Sequence, residues 1–265
     1  MTSADQEHVW IFSQTSKKIY QTNKLGNVLR AVDVDPTWSV AGICVTNTQE
    51  LLVCCKGDQS IKKCTRNGDV LDLINTAPLN PVSVCYSWSK DEILVGAVEA
   101  SLSDEEIFRT ASGRRVVQRY SKSGKMLQEI QYESVNTPMF TYPWKLQVSI
   151  TGDIAVCNMT TINEGHIVIL NKHGRLVSKF FGNPDDIMDD DKVKFCPVGL
   201  CFDNNSNIAF CEAFSYSVQK VDREGKYFGV LYKDRKCPPM NIVSCSNGDL
   251  WVGCKGGKVQ VLKSE

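Results

Sequence analysis

The chain has 265 residues with 30 basic and 30 acidic side chains, so no net charge draws it to nucleic acid or to an anionic membrane. Its apolar content of 42% is that of a folded globular protein, and no apolar run reaches the ~18 residues a membrane-spanning helix needs. The opening MTSADQEH has neither the basic start nor the apolar stretch of a secretory signal, and the expectation is a soluble, cytoplasmic monomer.

In chain order, six short apolar strands recur: Val9-Trp10-Ile11-Phe12, Leu51-Leu52-Val53-Cys54, Ile93-Leu94-Val95-Gly96, Ile154-Ala155-Val156-Cys157, Ile208-Ala209-Phe210-Cys211 and Leu250-Trp251-Val252-Gly253. Their last residues are spaced by 42, 42, 61, 54 and 42, and a period near 42 belongs to stacked or circular arrays. Each of the first five is followed by a polar turn ending in glycine, at Gly26, Gly68, Gly124, Gly174 and Gly225. Apolar residues alternate on both sides of these turns, which is a β-hairpin signature. Prolines 81, 143, 197 and 239 open a further apolar stretch, at a strand start where no ladder donor is needed. The repeat is therefore four strands: a proline-led a, the small-residue strand b, then c, the glycine turn and d. No helical period competes, and the chain reads as a single all-β domain over residues 1–265, a six-bladed β-propeller of four-stranded antiparallel blades.

Offsets locate the insertions. From strand b to the glycine turn they are 14, 14, 28, 17 and 14 residues, and from that turn to the next strand b 28, 28, 33, 37 and 28. The growth falls in b–c and d–a connections, which emerge on one face of an antiparallel blade. Binding residues concentrate where loops vary on a rigid scaffold, so that face is the candidate surface. Strand a of blade one would begin before Met1 and the glycine turn of blade six would fall past Glu265. The expectation is that the first and last blades are incomplete, about 22 of 24 strands being present in a domain excised from a longer protein.

Twelve cysteines could suggest a disulfide scaffold, but Cys54, Cys157 and Cys211 share the repeat position that Gly96 and Gly253 hold elsewhere. A position accepting Cys or Gly needs a small side chain in a tight interior, so the cysteines read as reduced and structural. No Cys-x-x-Cys pair occurs, and the three histidines, His8, His166 and His173, fall on separate elements.

Phe181-Gly182, Phe195, Pro197 and Gly199, followed by NIAFCE at 207–212, resemble an NHL repeat, as do Tyr142-Pro143 and Gly152-Asp153-Ile154-Ala155-Val156. The triplet that names the family is missing from every blade; Phe214-Ser215-Tyr216-Ser217 stands there in blade five. The whole is similar to the C-terminal propeller of TRIM-type (RING, B-box, coiled-coil) ubiquitin ligases. That resemblance implies a recognition module for a protein or peptide, recruiting ligase substrates, or alternatively an RNA-binding propeller in post-transcriptional regulation. It implies no cofactor and no membrane contact, and any ligase chemistry would reside elsewhere in the parent.

Catalysis is not expected of the domain. Zinc lyases of similar architecture need converging histidines, and the calcium site of propeller lactonases would have only Asn158 and Glu212, which directly follow strand b. No nucleophile signature is present, so neither catalytic nor metal-binding residues are assigned. Candidate partner contacts on the elaborated face are Trp38, Lys56, Arg109, Arg114, Arg115, Tyr142, Trp144, Phe214, Tyr216, Lys255 and Lys258, beside Lys192, Lys194, Lys233, Arg235 and Lys236. Trp10 and Trp251, inside b strands, read as inter-blade packing, whereas Trp38 and Trp144 suit either core or surface. Loops 97–115 and 183–195 hold nine acids against five bases, and phosphate binding depends on net positive charge. A mixed rim favours a protein partner over RNA. The run Asp185–Asp191 lacks calcium-loop spacing and reads as a solvated loop.

Overall fold

Short alternating strands bury one face at a time, and stacking such sheets around an axis lets each blade cover its neighbour. The structure, a computed structural model, describes residues 1–3, 5, 7–13, 16–110, 112–183 and 194–263. It is an all-β, six-bladed propeller of antiparallel sheets with almost no helix. Blade three, for example, runs Leu79–Ser87, Glu92–Glu99, Arg115–Ser121 and Met126–Ile130. Blade four runs Tyr142–Val148, Ile154–Thr161, Glu164–Leu170 and Leu176–Phe180.

The count at the chain's start is corrected. Blade one has four strands, because Thr2–Ser3 pairs antiparallel with Trp10 and Val9 and serves as a two-residue strand a. The spacing argument assumed a strand of repeat length, and a stub suffices. Among the described residues blade six has three strands, Pro239–Ser244, Leu250–Cys254 and Val259–Leu262. Val9, Val243, Cys245 and Trp251 form one buried cluster, with Met1 against it, joining blade six to blade one.

Strand b is the core of every blade. Cys54, Cys157 and Cys211 are fully buried, and all twelve cysteines are free thiols. Gly96 shows why the shared position must be small. A Cβ there would lie 2.4 Å from Ser83 Oγ, which itself donates to Pro143 O in the next blade. Trp10 and Trp251 are buried between blades one, two and six as expected.

On the a–b and c–d side the connections are minimal and chemically alike. Asn23, Asn171 and Asp222 each accept backbone N–H bonds from the residues two and four positions on, and glycine closes the turn. Gly68 has φ +98, a conformation L side chains rarely adopt.

Among the described residues, the opposite side carries the insertions. The blade-three b–c segment folds as helix α1 (Asp104–Arg109), started by a capping box between Ser103 and Glu106. The strands of blade four extend to a two-residue turn at 162–163. The connection from blade three to four holds a small hairpin, Tyr132–Ser134 with Thr137–Pro138. The acidic run Asp185–Asp191 and Lys192 lie outside the described residues.

Candidate binding site at the channel mouth

The strand-a prolines set up this site. In blades two to six the a–b ladder skips one residue, so that a β-bulge falls after Val40, Pro81, Pro143, Pro197 and Pro239. The skipped residues are Ala41, Val82, Trp144, Val198 and Met240. A bulge re-aims side chains and commonly lies beside functional sites. Here Ala41, Trp144, Val198 and Met240 converge on the mouth of the central channel, on the elaborated face. Val82 packs just behind, with Tyr142, Met159 and Cys196.

The insertions complete the wall. Ile107 of α1 is buried, which holds the helix down and turns Phe108 to the mouth, with its ring centroid 5.7 Å from that of Tyr142. Tyr142 stacks on Trp144 at 5.9 Å, and the Trp144 indole N–H donates to Val198 O across the blade boundary. Ile162, at the turn of the extended blade-four hairpin, contributes the outer lip and is 77% exposed. The result is a cavity of about 480 Å³ with a largely apolar wall, within the usual range for ligand pockets of roughly 300–1,000 Å³.

One residue after the bulge, the chain turns inward to the channel axis. Blades two, three, five and six place Gly42, Ser83, Gly199 and Asn241 there, and blade four places Lys145. Its Nζ donates to Ala41 O two blades away at 3.3 Å and sits 5.1 Å from the Trp144 ring centroid. Lys145 forms no ion pair among the described residues, and the thiols of Cys54 and Cys157 lie close enough to act on it electrostatically. Burial lowers its pKa from the ordinary lysine value. Below it a smaller cavity of about 140 Å³, lined by Met1, Gly42, Ser83 and Asn241, continues along the axis. The α-amine of Met1 lies there too, lowered to about 5 by burial first and by Lys145 second.

The structure gathers three of the sequence candidates, Lys56, Tyr142 and Trp144, at this mouth. The alternative left open for Trp144 resolves as a half-buried surface wall. Trp38, in a 3₁₀ turn at Pro36–Trp38, packs against the core of blades one and two, with Lys62 Nζ 5.6 Å from its ring centroid. Phe214 and Tyr216 lie in the blade-five b–c turn, Phe214 exposed and Tyr216 half-buried at φ 54. Lys255 and Lys258 are exposed in the blade-six turn. Arg109 is exposed beside Glu105 at 3.6 Å, and Arg114 bonds Glu129 at 2.6 Å. Arg115 is turned inward, its guanidinium donating to the carbonyls of Ile107, Thr110, Ser112 and Gly113. It fastens α1 to the blade.

Asn158 and Glu212 are also committed to the scaffold. Asn158 Oδ1 accepts from the backbone N–H groups of Thr141 and Tyr142, and its amide meets His166 Nε2 at 3.3 Å. Glu212 accepts from the N–H groups of Cys196, Phe214 and Ser215. Both side chains therefore cap incoming loop backbone. Burial first and Lys179 second lower the His166 pKa to about 4, and Phe181 lies against its ring. Sequence reasoning missed Phe108, Met159, Ile162, Val198, Met240 and Lys145. Five of the six follow a legible signal: Val198 and Met240 stand one place after a strand-a proline, Lys145 two places after, and Phe108 and Ile162 inside the counted insertions.

No protein-family model matches the chain, and no curated protein is significantly similar in sequence. Solved structures do match. A gluconolactonase from Xanthomonas campestris superposes with a TM-score of 0.70 at 17% identity, over 97% of this chain and 81% of that one. Virginiamycin B lyase from Staphylococcus aureus gives 0.60 at 16% identity, over 100% and 83%. A chain of the nidogen/laminin complex gives 0.67 at 14% identity, over 97% and 89%. The likeness is one of fold. It corrects the expectation that this domain is not an enzyme: proteins named as a lactonase and a lyase share the ring, so the architecture is one on which catalysis occurs. None of these three is named as an NHL or TRIM protein, and that resemblance rests on the sequence motifs.

Proposed function

We propose that this propeller recognises a protein or peptide partner on its loop-rich face, with the channel-mouth cavity as the anchor point. The observation that carries the reading is the apolar cavity itself. Aromatic side chains in a concave, pre-formed site at the centre of a loop-rich face are the usual anchors of recognition. Trp38, Phe214, Tyr216, Arg109, Arg114, Lys255 and Lys258 would then form an outer ring around Lys56, Tyr142 and Trp144. On the NHL-like motifs the partner would be a substrate recruited to a TRIM-type ubiquitin ligase. RNA is the less favoured occupant, because Arg109 and Arg114 face carboxylates and Arg115 is spent on backbone carbonyls.

Parallel selections of random peptides and of RNA hairpins, on the wild type and on an Ile162→Asp/Met240→Asp variant, test this. Both replaced side chains are exposed, so the fold is expected to survive. Peptide ligands lost in the variant are the expected result. RNA binding that falls steeply with salt and is lost in Lys255→Glu/Lys258→Glu would reverse the assignment.

A further inference from the structure

The cavity is not merely apolar. At its floor stands one long cation at a ring position that blades two, three, five and six fill with Gly42, Ser83, Gly199 and Asn241. Lys145 is there without a carboxylate partner among the described residues, its ammonium donating to one carbonyl, Ala41 O, and lying over the Trp144 ring. An ammonium taken from water without a counter-ion is costly, and such groups are normally paired. Among the described residues, the other charged side chain lining the cavity is that of Lys56, and no acid lines it. A ligand that fits this wall therefore has an apolar or aromatic body and one anionic group at its inner end.

Resting on the recognition reading above, we infer that the cavity takes the free C-terminus of a peptide whose last residue is apolar, with Lys145 receiving the α-carboxylate. The Phe108–Tyr142–Trp144 wall and Met240 enclose the last side chain. The preceding residues leave along the lip formed by Ile162. Below Lys145 the space falls from about 480 Å³ at the mouth to about 140 Å³, which leaves more room for a chain end than for a continuing chain. A carboxylate also supplies to Lys145 the counter-charge that its described surroundings lack, which offsets the cost of its desolvation.

The probes are dye-labelled hexapeptides with randomised bodies ending in Phe, Leu or Trp, each as free acid and as C-terminal amide, read by fluorescence polarisation against the whole chain. Free acids are expected to bind at least tenfold more tightly than amides. Lys145→Met, which keeps the length of the side chain and removes its charge, is expected to abolish that difference, and Lys145→Arg to retain part of it. Thermal midpoints of both variants establish that the fold is intact.

Equal binding of acids and amides, or acid binding unchanged in Lys145→Met, overturns the inference. If such binding is nonetheless lost in Ile162→Asp/Met240→Asp, recognition of peptides survives without recognition of their ends. Displacement of the peptide by 3-phenylpropionate at equal concentration would mark a small-molecule site and also overturn it. Binding of no peptide in any form overturns both readings.

Discussion

Across the face built by the a–b and c–d turns, the c–d turn of each complete blade repeats the same chemistry, with an Asn, Asp, Ser or Thr accepting from the turn backbone and a glycine closing it. On the opposite face the connections diverge: a 3₁₀ turn leads into blade two and a two-stranded flap into blade four, while a capped helix joins strands b and c of blade three and an extended hairpin those of blade four. Both faces rest on the same strands, so the difference is not one of scaffold stability. It shows where sequence is constrained by backbone geometry alone and where it is free to build a cavity. The loops that differ are also held individually. Arg115 binds α1, Asn158 binds the connection into blade four, and Glu212 binds the one into blade five. Asn158 and Glu212, both directly after strand b, do the same task in two blades, and the Arg115 clamp is a separate device, whereas the c–d turn chemistry is used in every complete blade.

The largest expected effect comes from the scaffold beneath both faces. Gly96→Val would drive a side chain into Ser83 Oγ and Pro143 O, and overpacking of this kind should destabilise by about 3 kcal/mol. Urea denaturation measures it, and a loss below about 1 kcal/mol would mean that blades three and four are not packed as described. Acid should act next, through one histidine of the elaborated face. The folded-state pKa of His166 is about 4 against an ordinary 6.5. Its contribution is therefore complete above pH 6.5 and is lost as the pH falls from there towards about 4, since only the unfolded chain binds the proton readily. The slope integrates to at most about 3 kcal/mol and should be absent in His166→Gln.

Arg115→Met strips four backbone carbonyls of their donor, and a loss of about 2 kcal/mol is expected. Amide hydrogen exchange should quicken in α1 and its flanks more than in the opposite turns. Uniform quickening over the ring would erase the distinction between singly fastened loops and repeated turns. Gly68→Ala should have the smallest effect, about 1 kcal/mol, because a Cβ there meets open space and the cost is that of the positive φ alone. An equal effect at Gly68 and Arg115 would argue that the two faces are built alike.

Much of this was readable in the sequence. The 42-residue period gave the blades, the glycine turns and the side on which insertions gather. It also explained Cys54, Cys157 and Cys211 as tight packing. What it did not yield has physical reasons. A β-bulge is a change in ladder register, invisible to a pattern of apolar alternation, so Trp144 and Met240 could be counted but not aimed. Lys145 reads as an outward polar residue in an alternating strand, and only the bulge one place earlier turns it to the axis. Arg115 looked like a surface cation because carbonyl acceptors supplied by a neighbouring helix leave no mark in composition. The stub Thr2–Ser3 escaped because two residues carry no periodicity at all.

The twelve buried thiols give the ring a built-in reporter. Blades two to six each contain at least one cysteine, and blade one contains none. Burial pushes the thiols of Cys54 and Cys85 up to about 12, so they hold almost no reactive thiolate while the blades stay closed. The rate at which a thiol reagent labels each cysteine therefore measures how often that blade opens to water, and peptide-resolved labelling would time the breathing of five blades in one experiment without any engineered probe.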